Sequence, residues 1–125
     1  MPEGVTIVPG VAVNVWDMPP APVAVAVYRI TIEPSGVAPV STFPFPTIVV
    51  VEQGTLICPG GSPRFVIAPD GTTTEYGDEY ITINVGEAIY VPANVPDGAR
   101  NDGAEQISLL AIDLMPGEDV GTPTA

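Results

Sequence analysis

Histidine and lysine are absent from this sequence, and cysteine occurs once, at Cys58. A Ser-His-Asp triad, a Cys-His pair and a His-rich zinc or iron site all need residues that the chain lacks. A single cysteine cannot form an intramolecular disulfide, so cysteine usage indicates no compartment. These absences exclude the commonest nucleophilic and transition-metal chemistries before any motif is considered.

Positive charge is almost absent as well. Three cations, Arg29, Arg64 and Arg100, stand against 15 Asp and Glu residues, which gives a net charge of −12. Polyanions and anionic lipid surfaces repel such a chain. We therefore expect neither nucleic acid nor a membrane as a partner.

Long apolar runs are missing, because 16 prolines and 13 glycines interrupt the chain. No stretch approaches the roughly 18 apolar residues of a membrane helix. The N-terminus carries Glu3 where a signal peptide has cations, and Pro9-Gly10 breaks its apolar run. Cytoplasmic localisation is the default expectation, although an export signal removed by trimming would leave no trace here.

The residues that are present predict one folded, all-β domain. With 46% hydrophobic and 14% charged residues in 125 positions, the chain can bury one core. Short β-rich runs lie between Gly/Pro clusters, at 23–32, 47–51, 55–58, 64–68, 80–85 and 88–91. Many short strands with such turns predict a sandwich or small barrel.

The segment 104–115 fits two interpretations. It has neither Pro nor Gly, and four of its apolar residues recur at helical spacing. The hairpin signal Asn101-Asp102-Gly103 before it and the β character of the remaining chain favour a strand. We therefore divide the chain into an N-terminal arm, 1–22, a barrel domain, 23–115, and a tail, 116–125.

Segment 86–101 resembles the second signature of the cupin superfamily, G-x5-P-x-G-x2-H-x3-N. Gly86, Pro92 and Asn101 match in register. Asn94 replaces a glycine and is a residue that tolerates left-handed backbone geometry. Asp97 occupies the position of the family's metal-binding histidine.

Segment 35–54 resembles the first cupin signature, G-x5-H-x-H-x3-E-x6-G, without a gap. Ser41 and Phe43 occupy the two histidine positions, Thr47 the glutamate position and Gly54 the closing glycine, while the opening glycine is displaced by one residue. The resemblance covers 23–114 and implies a cupin-like antiparallel β-barrel of the jelly-roll type.

The metal centre of that family is built from imidazoles and one carboxylate. The corresponding positions here, Ser41, Phe43, Thr47 and Asp97, offer a single ionisable donor. We therefore expect no metal and no other cofactor. We therefore do not expect this protein to have the family's metal-dependent activities.

The signature alternation directs these four side chains into the barrel interior. An apolar cavity with a few polar groups is typical of a small-ligand site, and the alternative is that the side chains simply fill the barrel. The candidate ligand-binding residues are Tyr28, Ser41, Phe43, Thr47, Tyr90 and Asp97.

Asp97 is the candidate catalytic residue. Burial in an apolar barrel would raise the pKa of its carboxyl and suit it to general acid or base catalysis. Alternatively, Asp97 accepts hydrogen bonds from its own turn or pairs with Arg100.

Three function classes follow. We favour a metal-free barrel that binds a small, largely apolar molecule or has a structural or sensory role. The alternative is a metal-independent isomerase or epimerase in which Asp97 is the acid or base, so the sequence leaves open whether the protein is an enzyme. The third class is an interaction module. Small cupins commonly pair through their sheets, so we also expect a homodimer.

Overall fold

A computed structural model describes residues 3–8 and 10–117, and every regular element in these ranges is a β-strand. The strands are β1 Val23–Ile32, β2 Val37–Ser41, β3 Thr47–Gln53, β4 Leu56–Cys58, β5 Arg64–Ile67, β6 Thr73–Tyr76, β7 Ile81–Ile83, β8 Ala88–Val91, β9 Asp97–Arg100 and β10 Ile107–Pro116. Within the described ranges, no helix is long and apolar enough to cross a membrane.

The strands form two antiparallel sheets packed face to face. The larger has the order β1-β10-β3-β8-β5-β6 and the smaller the order β2-β9-β4-β7. The predicted all-β jelly-roll fold is therefore confirmed. Its two sheets form a sandwich and do not join into a closed barrel.

Most of segment 104–115 lies in strand β10, so the predicted strand is confirmed. The hairpin expected at Asn101-Asp102-Gly103 is not formed, because β9 and β10 belong to different sheets and this turn connects the two sheets. β10 lies between β1 and β3 and pairs with both of them. Both of its faces are apolar: Ile107, Leu109 and Ala111 are buried on one face, and Leu114 is buried on the other. A strand that is apolar on two faces contains helix-like spacings by chance, which explains the ambiguity of the pattern.

Three strands lie outside the predicted runs: β2, β6 and β9. Every residue of β2 is exposed, and three of the four residues of β6 are exposed. Both strands are at sheet edges, where a strand needs no apolar face. β9 is short and carries Asp97, Gly98 and Ala99, residue types that are depleted in strands.

The space between the sheets contains the larger of two cores. Val51, Ile89, Ile107 and Leu109 of the six-stranded sheet pack there against Leu56 and other residues of the smaller sheet. The alternation of side chains along each strand determines which residues belong to this core.

The outer face of the six-stranded sheet forms the second core. The N-terminal arm covers it, since Val11, Val13 and Val15 pack against a cluster that includes Tyr90 and Leu114. The large sheet is thus buried on both faces where the arm covers it. Of the predicted tail, Pro116 is the last residue of β10 and residues 118–125 lie outside the described residues.

Backbone geometry matches the cupin-like signature positions. Gly54 and Gly86 have φ values of 82° and 88°, and Asn94, in the place of a glycine, has φ 65°. Ser35 has φ 69°, so the left-handed residue lies at the opening signature position even though the glycine itself is displaced to Gly36.

Candidate functional site

A cavity of about 270 Å³ lies between the sheets and is partly open to solvent. Its lining is mainly aliphatic and aromatic, with few polar side chains. The residues that line it are Tyr28, Ile30, Ala38, Pro39, Ser41, Phe43, Phe45, Thr47, Val49, Leu56, Cys58, Ile89, Val91, Pro92, Val95, Asp97, Gly98, Ala99, Leu109, Ala111 and Asp113.

Two connections between the sheets bound the cavity at one end of the sandwich. One joins β2 to β3 and carries Phe43 and Phe45, and the other joins β8 to β9 and carries Val95. The backbone N–H of Asn94 donates to the carbonyl oxygen of Phe43 over 2.7 Å, which ties the two connections together. The left-handed conformation of Asn94 turns the chain at this point.

The structure brings five of the predicted site residues to this cavity. Tyr28, Ser41, Phe43, Thr47 and Asp97 all line it. Each lies where the signature alignment or the strand alternation directs it to the interior. Ser41 and Asp97 are also paired directly across β2 and β9.

Tyr90 is not brought to the cavity. Its neighbours Ile89 and Val91 line the cavity, so alternation along β8 points Tyr90 to the outer face of the sheet. There its ring packs 5.5 Å from Trp16 and 5.7 Å from Phe65. Tyr90 belongs to the second core and does not line the cavity, so this geometry does not support its prediction as a ligand-binding residue.

Asp97 faces a buried arginine. Its Oδ1 atom lies 3.6 Å from Nη1 of Arg64, which is longer than a hydrogen bond, and this oxygen has no hydrogen-bond partner in the protein. Burial raises the pKa of Asp97 from 3.8 to about 7, and the attraction of Arg64 offsets only part of that effect. Arg100, the partner considered from sequence, pairs with Asp102 instead.

Arg64 is held by backbone carbonyls and is fully buried. It donates to the carbonyl oxygens of Cys58, at 2.7 Å, Gly77, at 2.8 Å, and Glu79. Sequence reasoning did not single it out. Alternation with Val66, an inner-core residue, is the signal that could have placed Arg64 inside.

Asp113 is a second carboxylate in the cavity, which the sequence analysis also missed. It accepts hydrogen bonds from the Tyr28 hydroxyl at 2.8 Å and from the Thr47 hydroxyl at 3.1 Å. Burial, followed by the hydrogen bond to Asp113, raises the pKa of Tyr28 to about 12. Tyr28 therefore stays a neutral donor that orients this carboxylate.

Cys58 lines the cavity but remains a thiol at neutral pH. Burial raises the pKa of its sulfhydryl well above the usual value, and the nearby Asp97 raises it further. A thiol in this state is a poor nucleophile and a poor metal ligand. It contributes mainly apolar surface to the cavity wall.

The donor set of the cavity does not fit the metal centre that cupins use. Ser41, Phe43 and Thr47 supply two hydroxyls and a ring, and the carboxyl of Asp97 faces a guanidinium cation. Within the part of the chain that the structure describes, no group of three or more acidic or thiol side chains is arranged to hold a metal ion.

Comparison with known proteins shows the fold. No protein-family model and no curated protein matches the chain. A solved RmlC-like cupin from Shewanella frigidimarina is similar, with a TM-score of 0.52 and 16% identity over 77% of this chain and 70% of that one. The resemblance to cupins found in the sequence is thus confirmed at the level of the fold.

Two larger proteins are similar in the same way. The DMSP lyase DddQ from Ruegeria pomeroyi has a TM-score of 0.55 and 15% identity, and the match covers 81% of this chain and 41% of the lyase. An oxalate decarboxylase variant from Bacillus subtilis has a TM-score of 0.52 and 21% identity, with 71% of this chain and 21% of the decarboxylase covered. The match spans less than half of each of these two proteins. Sequence signatures, sheet topology and structural similarity agree that this chain has the cupin fold.

Proposed function

We propose that this protein binds a small, largely apolar molecule in the cavity between its sheets, without a metal. One observation carries the proposal: beside the packed core, the space between the sheets includes a cavity that is partly open to solvent. Ile89, Leu109 and Ala111 supply apolar wall, and two acidic side chains supply polar contacts. This combination is typical of sites for small organic ligands.

The test compares three forms of the protein by untargeted mass spectrometry of the small molecules that each releases. Ala99→Leu adds bulk inside the cavity, because Ala99 lines it, and Ala104→Leu makes the same change in an exposed turn. We expect a molecule released by the wild type and Ala104→Leu but absent from Ala99→Leu. Equal recovery from all three folded proteins would contradict the proposal.

A second candidate is an isomerase or epimerase in which Asp97 is the general acid or base. The observation that favours it is a pKa near 7 in a ligand-sized cavity, which is suited to proton transfer at neutral pH. We propose Tyr28 as its partner, because Tyr28 is the other titratable candidate residue from the sequence that lines the cavity. With a substrate in hand, Asp97→Asn would keep binding and reduce turnover by roughly 10² to 10⁴.

A further inference from the structure

The two acidic residues that line the cavity lie on opposite walls. Asp113 is in β10 of the six-stranded sheet, and Asp97 is in β9 of the four-stranded sheet. A molecule between the sheets therefore meets a carboxyl group on each side. The hydroxyls of Tyr28 and Thr47 hold the Asp113 carboxylate in a fixed orientation.

None of the three arginines is available to a ligand in this cavity. Arg64 is fully buried behind Asp97, donates to three backbone carbonyls, and is not part of the lining. Arg29 and Arg100 pair with Glu52 and with Asp102, away from the cavity lining. The sequence contains no lysine, so an anionic ligand would find no cation to bind.

Three aromatic residues line the cavity, and two of them, Tyr28 and Phe43, are also exposed to solvent, at 42% and 53%. Phe43 and Phe45 lie with their ring centroids 5.6 Å apart, and Tyr28 contributes a third ring to the same lining. Ring faces attract cations because of their quadrupole, and this attraction adds to that of a carboxylate. The net charge of −12 also draws cations toward the protein and repels anions.

We infer that the ligand of this cavity is a small organic cation, an ammonium group on an apolar body, with Asp113 as its principal counterion. The inference rests on the proposed binding function and specifies its ligand class. The ammonium group would lie at the rim, among Tyr28, Phe43 and Phe45. The apolar body would extend toward Ile89, Leu109 and Ala111.

Three probes of matched size test the charge preference: benzylamine, which is cationic at pH 7, benzyl alcohol, which is neutral, and benzoate, which is anionic. Each is titrated into the ¹⁵N-labelled protein at low salt, and the amide shifts of cavity residues give the affinity and the location. We expect benzylamine to bind on the order of tenfold more tightly than benzyl alcohol and benzoate to bind least.

Asp113→Asn removes the charge at the rim, and Asp78→Asn makes the same change at an exposed position outside the cavity. We expect Asp113→Asn to weaken benzylamine binding about tenfold and benzyl alcohol binding less than twofold, and Asp78→Asn to change neither. Equal affinities for the amine and the alcohol would overturn the cation inference and leave the proposed function intact. Absence of binding by all three probes would count against both.

Discussion

Asp97 and Arg64 show how two charged residues behave when the fold places them at the edge of an apolar core. Arg64 donates to carbonyl oxygens through its two terminal nitrogens, but its Nε atom and the Oδ1 atom of Asp97 are both buried without a hydrogen-bond partner in the protein. The desolvation of Asp97 outweighs its attraction to Arg64, so its carboxyl retains a proton to about pH 7.

This protonation makes stability depend on pH in a direction that can be tested. Because the pKa of Asp97 is raised from 3.8 to about 7, the folded state binds this proton more tightly than the unfolded state does. The resulting stabilisation is fully present below pH 3.8 and is lost as the pH rises to about 7. Asp97→Asn mimics the protonated carboxyl. We expect the variant and the wild type to be equally stable near pH 4. Between pH 4 and about 7 the wild type should lose stability relative to the variant, by at most about 1.4 kcal/mol per pH unit.

Denaturant unfolding of both proteins across this pH range measures the difference. Asp78→Asn, an exposed change of the same kind, provides the control and should show no comparable trend. A constant difference between the wild type and Asp97→Asn from pH 4 to pH 8 would show that the Asp97 carboxyl titrates normally.

Removal of the Arg64 guanidinium should be strongly destabilising. Arg64→Met leaves the carbonyls of Cys58, Gly77 and Glu79 without this donor and Asp97 without a neighbouring cation. We expect a loss of about 3 to 5 kcal/mol in the free energy of unfolding. Arg29→Met breaks an exposed pair with Glu52 and should cost less than about 1 kcal/mol. Similar losses for the two variants would contradict the structural role of Arg64.

At the scale of elements, the sequence predicts strands well and their faces less well. β1 has one wet and one dry face at its C-terminal half, and both its bounds and the inward direction of Tyr28 follow from the pattern. β8 is buried along its whole length, so hydrophobicity cannot distinguish its two faces. The sequence therefore predicts Tyr90 on the cavity face, whereas the structure places it on the outer face. The arm that buries its outer face could not be placed from the sequence.

Asp113 and Arg64 were missed for a related reason. Asp113 meets Tyr28 and Thr47 only because β10 lies between β1 and β3, a long-range pairing and register that local patterns do not specify. Arg64 alternates with Val66, which favours the inner face, but the adjacent Phe65 is also apolar, so the local pattern does not decide which of the two faces lies between the sheets. By contrast, the fixed residue spacing of the cupin signatures was sufficient to place Ser41, Phe43, Thr47 and Asp97 at the cavity.

The arm is attached to the sheet by Asp17. Its carboxylate accepts hydrogen bonds from the hydroxyl of Tyr90 and from the backbone N–H of Ala93, the latter at 2.6 Å. Burial and this hydrogen bond raise the pKa of Tyr90 to about 12, so it remains a donor. Trp16 packs beside it, with its ring centroid 5.0 Å from that of Phe65.

Asp17→Ala should therefore loosen the arm. The variant loses two hydrogen bonds to a charged acceptor, each worth about 1.5 to 3 kcal/mol, and Trp16 should become more exposed to quencher. Asn14→Ala, at an exposed arm position, should change neither stability nor fluorescence quenching appreciably. Wild-type quenching of Trp16 in Asp17→Ala would contradict this attachment.

At the scale of the whole molecule, part of the large sheet remains exposed beyond the arm. Val25 and Val27 of the edge strand β1 are 59% and 60% exposed, on the face they share with Ile112 and Leu114. Exposed apolar surface costs about 25 cal/mol per Å² in water. We propose that the homodimer expected from sequence forms through this face.

Val27→Glu should then shift the dimer to monomer in light scattering at micromolar concentration. Val85→Glu changes a valine of similar exposure, 59%, in the turn before β8, and should leave the dimer intact. A monomeric wild type, or a dimer that survives Val27→Glu, would contradict the proposed interface.

The sandwich encloses a partly open, mainly apolar cavity, whereas small barrels are often filled with side chains. A crystal of the wild type pressurised with xenon tests this most directly, because xenon occupies apolar cavities. We predict xenon density between the sheets, in contact with Val49, Ile89 and Ala111. Side chains that fill this space and leave no room for xenon would contradict the claim.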